Sequence, residues 1–328
     1  MEAVGVRNAF VTGAYGLLGG WLCKALVHAG VRVVVLKRDE VPLSGLQLEG
    51  TEARCAVVHG SVTDGELMSR VLTEYEVDSV FHLAAQTIVG AANRSPISTF
   101  ETNVRGTWLL LEACRTDGRV QRVVVAASDK AYGPSDALPY REDFALQPRY
   151  PYDASKAAAD LIARSYWHTY GLPVAITRFA NLYGGGDPNT SRLIPETVSA
   201  ALAGRPPVIR SDGKAERDYL YVEDAVQAYL AIARALDDDG RARGEAFNAG
   251  SGRPWSVREV VELVCEAAGT RVEPDIRGTG TPAGELDRQY VDGSKLREAT
   301  GWVPAVDLRD GLLKTVEWYR SHPEALIR

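Results

Sequence analysis

The stretch that most constrains this chain is Thr12-Gly13-Ala14-Tyr15-Gly16-Leu17-Leu18-Gly19, because of what flanks it. Residues 9–12 read as a short buried strand, and the amphipathic run 17–29 reads as a helix ended by Gly30. Glycines at 13, 16 and 19 allow a tight turn and let the backbone approach a pyrophosphate. The helix N-terminus adds free N–H groups and a favourable dipole for phosphate. Strand, glycine turn and helix in this order predict a dinucleotide site carrying Gly13, Tyr15, Gly16, Leu17 and Gly19.

The alternation continues. Apolar runs at 32–36, 56–59, 79–83, 123–127 and 174–179 read as strands separated by helical stretches. Thr63-x-x-Glu66 reads as a capping box opening a helix to Tyr75, and a long helix is expected over about 97–115. This rhythm predicts an α/β fold with a doubly wound parallel sheet (Rossmann type) over residues 1–180. Such sheets hold ligands at the carboxyl ends of their strands. An acidic residue ending the second strand would accept hydrogen bonds from the adenosine ribose and favour NAD, but Lys37 and Arg38 stand there. Two cations suit a 2′-phosphate, so the expected cofactor is NAD(P), with the lean to NADP and Asp39 pulling the other way. After the fourth strand, Leu83-Ala84-Ala85 lets a cofactor lie close, and Gln86 follows within reach of a substrate.

The fifth strand ends in Ser128-Asp129-Lys130, and Tyr152-Asp153-Ala154-Ser155-Lys156 opens a helical stretch about two dozen residues later. Tyr152 and Lys156, one turn apart, share a helix face. An ammonium beside a phenol favours phenolate, so Lys156 is expected to lower the Tyr152 pKa and make it a base near neutral pH. Ser128 can bind the same substrate oxygen. This is chemistry for taking a proton from an alcohol while its carbon loses hydride. A lone Tyr-x-x-x-Lys is common on solvated helices; the strand-end serine and the glycine loop lift it above that ordinary reading.

From about residue 181 the strand rhythm loosens. A loop at Gly184-Gly185-Gly186-Asp187 precedes helices opening at Arg192, at Glu223 after Arg217-Asp218-Tyr219, at a Ser256-x-x-Glu259 cap, and over 308–322. Residues 181–328 are expected to form a smaller substrate lobe, in which Arg192, Arg217 and Arg288 are candidates to pair with a diphosphate rather than plain solvated cations. A net charge of -6 without a basic block argues against nucleic acid. Cys23, Cys55, Cys114 and Cys265 lack C-x-x-C spacing, as expected of reduced thiols in a cytoplasmic protein. No basic-then-apolar leader is read at the N-terminus, and no apolar run approaches the roughly 18 residues of a membrane span. Five histidines without paired spacing give no expectation of a metal.

Together, Thr12-Gly13-x-x-Gly16-x-x-Gly19, Phe81-His82-Leu83-Ala84-Ala85-Gln86, Asn103, Ser128, Tyr152-x-x-x-Lys156, Asn181 and Arg217-Asp218-Tyr219 resemble the extended short-chain dehydrogenase/reductase family acting on nucleotide sugars. These motifs span nearly the whole chain in the family's order. The resemblance implies that the first lobe binds NAD(P), with Ser61, Val62 and Asn103 joining the residues above and Lys156 holding the cofactor ribose. It implies that a nucleoside-diphosphate hexose meets Gln86, Asn181, Arg192, Leu193, Arg217 and Arg288, and that the protein is a homodimer built on the helices near 97–115 and 152–170. After the serine, the family's 4-epimerases typically carry small or neutral residues, and its 4,6-dehydratases an acid and a base. Asp129 and Lys130 look most like the CDP-glucose 4,6-dehydratase subgroup, to which Gly184-Gly185-Gly186-Asp187 and Arg192-Leu193-Ile194-Pro195 are also similar. Lys37 departs from the acidic residue usual at its position, Ser61 from the Asp that often contacts adenine, and the run from Arg217 to Asp224 is closer to general epimerases.

The implied reaction is internal. Tyr152 takes the 4-hydroxyl proton, Lys130 takes C5–H, Asp129 protonates the departing 6-hydroxyl, and hydride returns to C6, giving a 4-keto-6-deoxy sugar. The ordinary alternative for Asp129 and Lys130 is a local ion pair shaping the loop. Other readings are a 4-epimerase, a 5,6-dehydratase that keeps the alkene, and a non-catalytic cofactor-binding regulator, which would have little use for an intact Ser-Tyr-Lys set.

Overall fold

The computed structural model describes residues 5–237, 240–280 and 286–326. In chain order the strands are β1 (Asn8–Thr12), β2 (Arg32–Lys37), β3 (Ala56–His59), β4 (Ser79–His82), β5 (Arg122–Ala126), β6 (Val174–Phe179), β7 (Asn181–Tyr183), β8 (Val208–Ile209), β9 (Glu216–Tyr221), β10 (Ala246–Ala249), β11 (Pro254–Ser256), β12 (Asp275–Ile276) and β13 (Arg288–Gln289). A seven-stranded sheet has the order β10-β6-β5-β4-β1-β2-β3, and every pairing in it is parallel. Its central strands are runs of valine, isoleucine and phenylalanine because both faces are covered. Against one face lie the helices Leu17–His28 and Val222–Ala235; against the other lie Gly65–Glu74, Gly106–Asp117 and Pro151–Tyr170. The doubly wound parallel sheet read from the sequence is the fold of this chain.

Boundaries differ in instructive ways. The helix after β3 is capped by Asp64, whose carboxylate accepts from Leu67 N–H at 3.0 Å. Thr63 instead bonds Ser61, so the expected Thr63–Glu66 capping box does not form. The box at Ser256 and Glu259 is present. The long helix expected near 97–115 runs from Pro96 to Asp117 and widens to a π-helical turn over Glu101–Arg105.

The break expected at residue 180 is crossed. After β7, β8 and β9 the chain returns: the helix Val222–Ala235 packs in the first core and β10 pairs with β6. A parallel strand beside β6 completes burial of that edge, a tertiary demand that four residues of sequence do not announce. What stands apart is a small sheet of β7, β9, β11 and β13, the β8–β12 pair and a core joining Tyr183, Val198, Val264 and Leu312. The loop at 184–186 is a joint between the two parts. A Cβ on Gly185 would lie 2.1 Å from the Trp318 ring, Trp21 donates its indole N–H to Gly185 C=O at 2.9 Å, and Trp318 donates to Glu49 at 2.7 Å.

Candidate active site

The strand order reverses between β1 and β4, and the glycine loop, the segment Leu83 to Gln86 and Ser128-Asp129-Lys130 follow the carboxyl ends of β1, β4 and β5. Gly13 has φ +76°, and a Cβ there would lie 2.7 Å from Ala84 N and Leu83 C, so this turn requires glycine. A Cβ on Gly19 would meet Gly13 O at 2.2 Å, which keeps the helix tight against the turn. The helix Leu17–His28 starts after Gly16 with no side-chain cap, leaving its first N–H groups for a ligand. Ala84 N–H is anchored on Thr12 Oγ1 at 3.2 Å, which fixes the Leu83-Ala84-Ala85 segment over the turn. This cradle fits the pyrophosphate of a dinucleotide. The side chain of Leu17 lies in the second core, so only its backbone serves the cradle. Ser61 bonds Thr63, and Val62 is buried against Gly106.

The cations expected to meet a 2′-phosphate are already taken. Lys37 is buried and pairs with Glu40 at 2.8 Å and Glu52 at 3.4 Å, while Arg38 pairs with Asp39 at 2.6 Å. These cations give no free charge for a 2′-phosphate, because Asp39 and Glu40 just beyond β2 and Glu52 from a separate turn pair with them. Asn103 is likewise reassigned. Its Oδ1 accepts from Gln86 N–H at 2.7 Å, and its Nδ2 donates to Gln86 C=O at 3.2 Å and to Ser155 Oγ at 2.8 Å. It clips the loop after β4 to the helix of Tyr152, with its amide spent on protein. Gln86 in turn caps Ile88 N–H with Oε1 at 3.0 Å.

Beyond β5, Ser128 opens a short 3-10 turn, Asp129–Tyr132. Its hydroxyl accepts from Lys130 N–H at 3.2 Å and donates to Asp129 Oδ1 at 3.1 Å. Asp129 is 4% exposed, and its Oδ2 has no hydrogen-bond partner among the described residues. Burial pushes its carboxyl up to about 6, against the pull of Lys130 and Ser128. Such a group takes up a proton more readily than an exposed carboxylate, and one of its oxygens is buried without a partner among the described residues. Lys130 is half-buried and acts on a second acid, Asp153, whose carboxyl burial lifts to about 6. Asp153 is a site residue the sequence reading passed over, although it lies beside Tyr152.

Tyr152 is buried, and burial pushes its hydroxyl up to about 12, with Arg192 and Ser128 pulling down. The expected fall toward neutrality is absent. Lys156 is itself buried, its amine lowered to about 8 by burial, and it donates to Ala126 C=O at 2.7 Å. Desolvation therefore outweighs the neighbouring charge. His82, between Thr12 and Thr107 hydroxyls at 2.8 and 3.0 Å, is lowered to about 3 by burial and is a neutral structural link.

The proposed diphosphate arginines are not gathered into one cluster of free cations. Arg192 pairs with Asp187 at 3.1 Å yet stays 40% exposed at the side chain, and its charge reaches Tyr152. Arg217 is buried and its charge acts on Asp129. Arg288 pairs with Glu216 at 2.6 Å and stacks on Tyr290. Asn181 donates to Asp218 C=O at 3.3 Å, and Leu193 begins the helix Leu193–Leu202. Among the described residues no group of three or more His, Cys, Asp or Glu could hold a metal, and no helix is long and apolar enough to cross a membrane.

The family model described as the NAD dependent epimerase/dehydratase family matches residues 9–250. The chain belongs to this family. It is 35% identical to a dTDP-glucose 4,6-dehydratase of Xanthomonas campestris, over 95% of this chain and 93% of that one. It is 34% identical to a UDP-glucose 4-epimerase of Mycolicibacterium smegmatis, over 96% and 99%. The crystal structure of a Bacillus anthracis dTDP-glucose 4,6-dehydratase in complex with NAD superposes with a TM-score of 0.85 at 29% identity, covering 97% of this chain and 98% of that one. The chain spans 48% of the length of a trifunctional Arabidopsis thaliana protein named for UDP-glucose 4,6-dehydratase, 3,5-epimerase and reductase activities, at 30% identity. The resemblance drawn from the motifs is thus the family of this chain, an enzyme family of dehydratases and epimerases.

Proposed function

We propose that this chain is a nucleotide-sugar 4,6-dehydratase that converts a nucleoside-diphosphate hexose to its 4-keto-6-deoxy product through bound NAD(P), as a homodimer. The observation that carries the reading is Asp129: a buried carboxyl, raised to about 6, with one oxygen unpartnered. A 4-epimerase exchanges hydride and proton at C4 and has no use for an acid aimed at C6. A dehydratase needs an acid for its leaving hydroxyl. The strand-end Ser128-Asp129-Lys130 resembles CDP-glucose enzymes, whereas the relatives compared are named for dTDP- and UDP-glucose. A nucleoside-diphosphate hexose is therefore the class assigned.

Bound NAD(P) supplies a reversible hydride acceptor and a positive charge beside the sugar. Tyr152 takes the 4-hydroxyl proton while Ser128 holds that oxygen; burial raises the Tyr152 hydroxyl to about 12, and the Arg192 charge works against that rise. The C4 ketone acidifies C5–H, which Lys130 removes. Asp129 delivers its proton to the 6-hydroxyl, which leaves as water. As C6 would regain the hydride lost from C4, Lys130 returns its proton to C5, and the proton held by Tyr152 replaces the one Asp129 gave up. The site ends with its starting charge.

Lys130→Met tests this. With the active sugar nucleotide it is expected to lose dehydration by at least ~100-fold while nicotinamide reduction at C4 persists, read as near-ultraviolet absorbance. Undiminished dehydration would remove Lys130 as the base.

A further inference from the structure

Lys37 closes β2, where a sheet of this kind meets the adenosine ribose of a dinucleotide. Its ammonium is held by Glu40 and Glu52 and lies 5.2 Å from the centre of the Tyr15 ring. Glu52 comes from the turn Glu52–Arg54 ahead of β3, and its Oε1 also accepts the Tyr15 hydroxyl at 2.5 Å. Tyr15 belongs to the glycine loop. One carboxylate thus ties together three segments that border the expected ribose, and its side chain stays 26% exposed. Counting Asp39 on Arg38, three acids surround the two cations at this strand end.

We propose that Glu52 selects the dinucleotide. Its fixed carboxylate accepts the adenosine ribose hydroxyls, as an acid at the end of β2 would, and with Glu40 it repels a 2′-phosphate, so the chain takes NAD. Lys37 serves inside this cluster as the counter-ion that anchors Glu52, not as a phosphate ligand. The inference rests on the glycine loop being a dinucleotide site and adds the residue that discriminates there.

Calorimetric titration of the purified protein with NAD and with NADP is expected to give at least roughly tenfold tighter binding of NAD. Dinucleotide released by denaturing the purified protein is expected to have the mass of NAD. Glu52→Gln keeps shape and the bond from Tyr15 while removing the charge, and it is expected to lose most of that preference. A parent protein that prefers NADP, or a folded E52Q variant that keeps the full preference, overturns the proposal and leaves the dinucleotide site standing. Binding of neither dinucleotide overturns the reading of the glycine loop as well. A parent protein that prefers NADP overturns the proposal even if the variant does not fold.

Discussion

The carboxyl of Asp129 takes up its proton at a higher pH than an ordinary carboxylate, and that has a thermodynamic signature. Burial raises it to about 6 from an ordinary value near 4. Between those values the folded chain keeps a proton that the unfolded chain has lost, so this group's contribution to stability falls as pH rises from about 4 through about 6. Asp129→Asn is therefore expected to match the parent below about pH 4 and to be more stable near pH 8, by on the order of 2–3 kcal/mol in denaturant unfolding, while dehydration falls at least ~100-fold. Equal stability at both pH values would mean that Asp129 is an ordinary ionised loop residue. Ser128, Tyr152 and Lys156 were legible because strand-end and i, i+4 spacing suffice to bring them together. Their electrostatics were not. The high pKa of Tyr152, the capture of Lys37 by Glu52 and the clip made by Asn103 each depend on burial or on partners far away in the chain.

Strands and helices were readable where an unbroken apolar run or a 3.6 period is long enough, as in β2 and β5 and in the helix Pro151–Tyr170. Caps were less so: Thr63 and Asp64 are both plausible N-caps, and side-chain geometry chose Asp64. The long helix holds a further lesson. Its π-helical turn, invisible in the periodicity, buries Asn103 toward the site. Its outer face, with that of Pro151–Tyr170, leaves Ile97, Phe100, Trp108 and Leu161 exposed, an arrangement that invites a second copy. Leu161→Glu, at a position 55% exposed in the single chain, is expected to convert a dimer to monomer in light scattering with the helical circular dichroism kept. A dimer that survives this change and Ile97→Glu would locate the interface elsewhere.

At the scale of the molecule, the parallel sheet was legible from the βα rhythm, whereas the return of β10 to its edge was not, since a short strand after two hundred residues carries no pairing information. That return matters for function. It ties Asn248 into the β5–β6 end, where it accepts from Tyr132 at 2.8 Å, and so braces the turn bearing Asp129 and Lys130 from behind. The Trp21, Trp318 and Glu49 contacts hold the smaller part against the cofactor side. The sheet, the brace and the joint thus hold Ser128, Asp129, Lys130 and Tyr152 near the carboxyl end of β5, where the proposed reaction would take place. The most direct test is the proton NMR spectrum of the product formed when the purified enzyme, with added NAD, turns over CDP-, dTDP-, UDP- or GDP-glucose. A C6 methyl with no proton on C4 is the expected result; a C4 epimer that keeps its C6 hydroxymethyl, or an alkene at C5–C6, would contradict the dehydratase account.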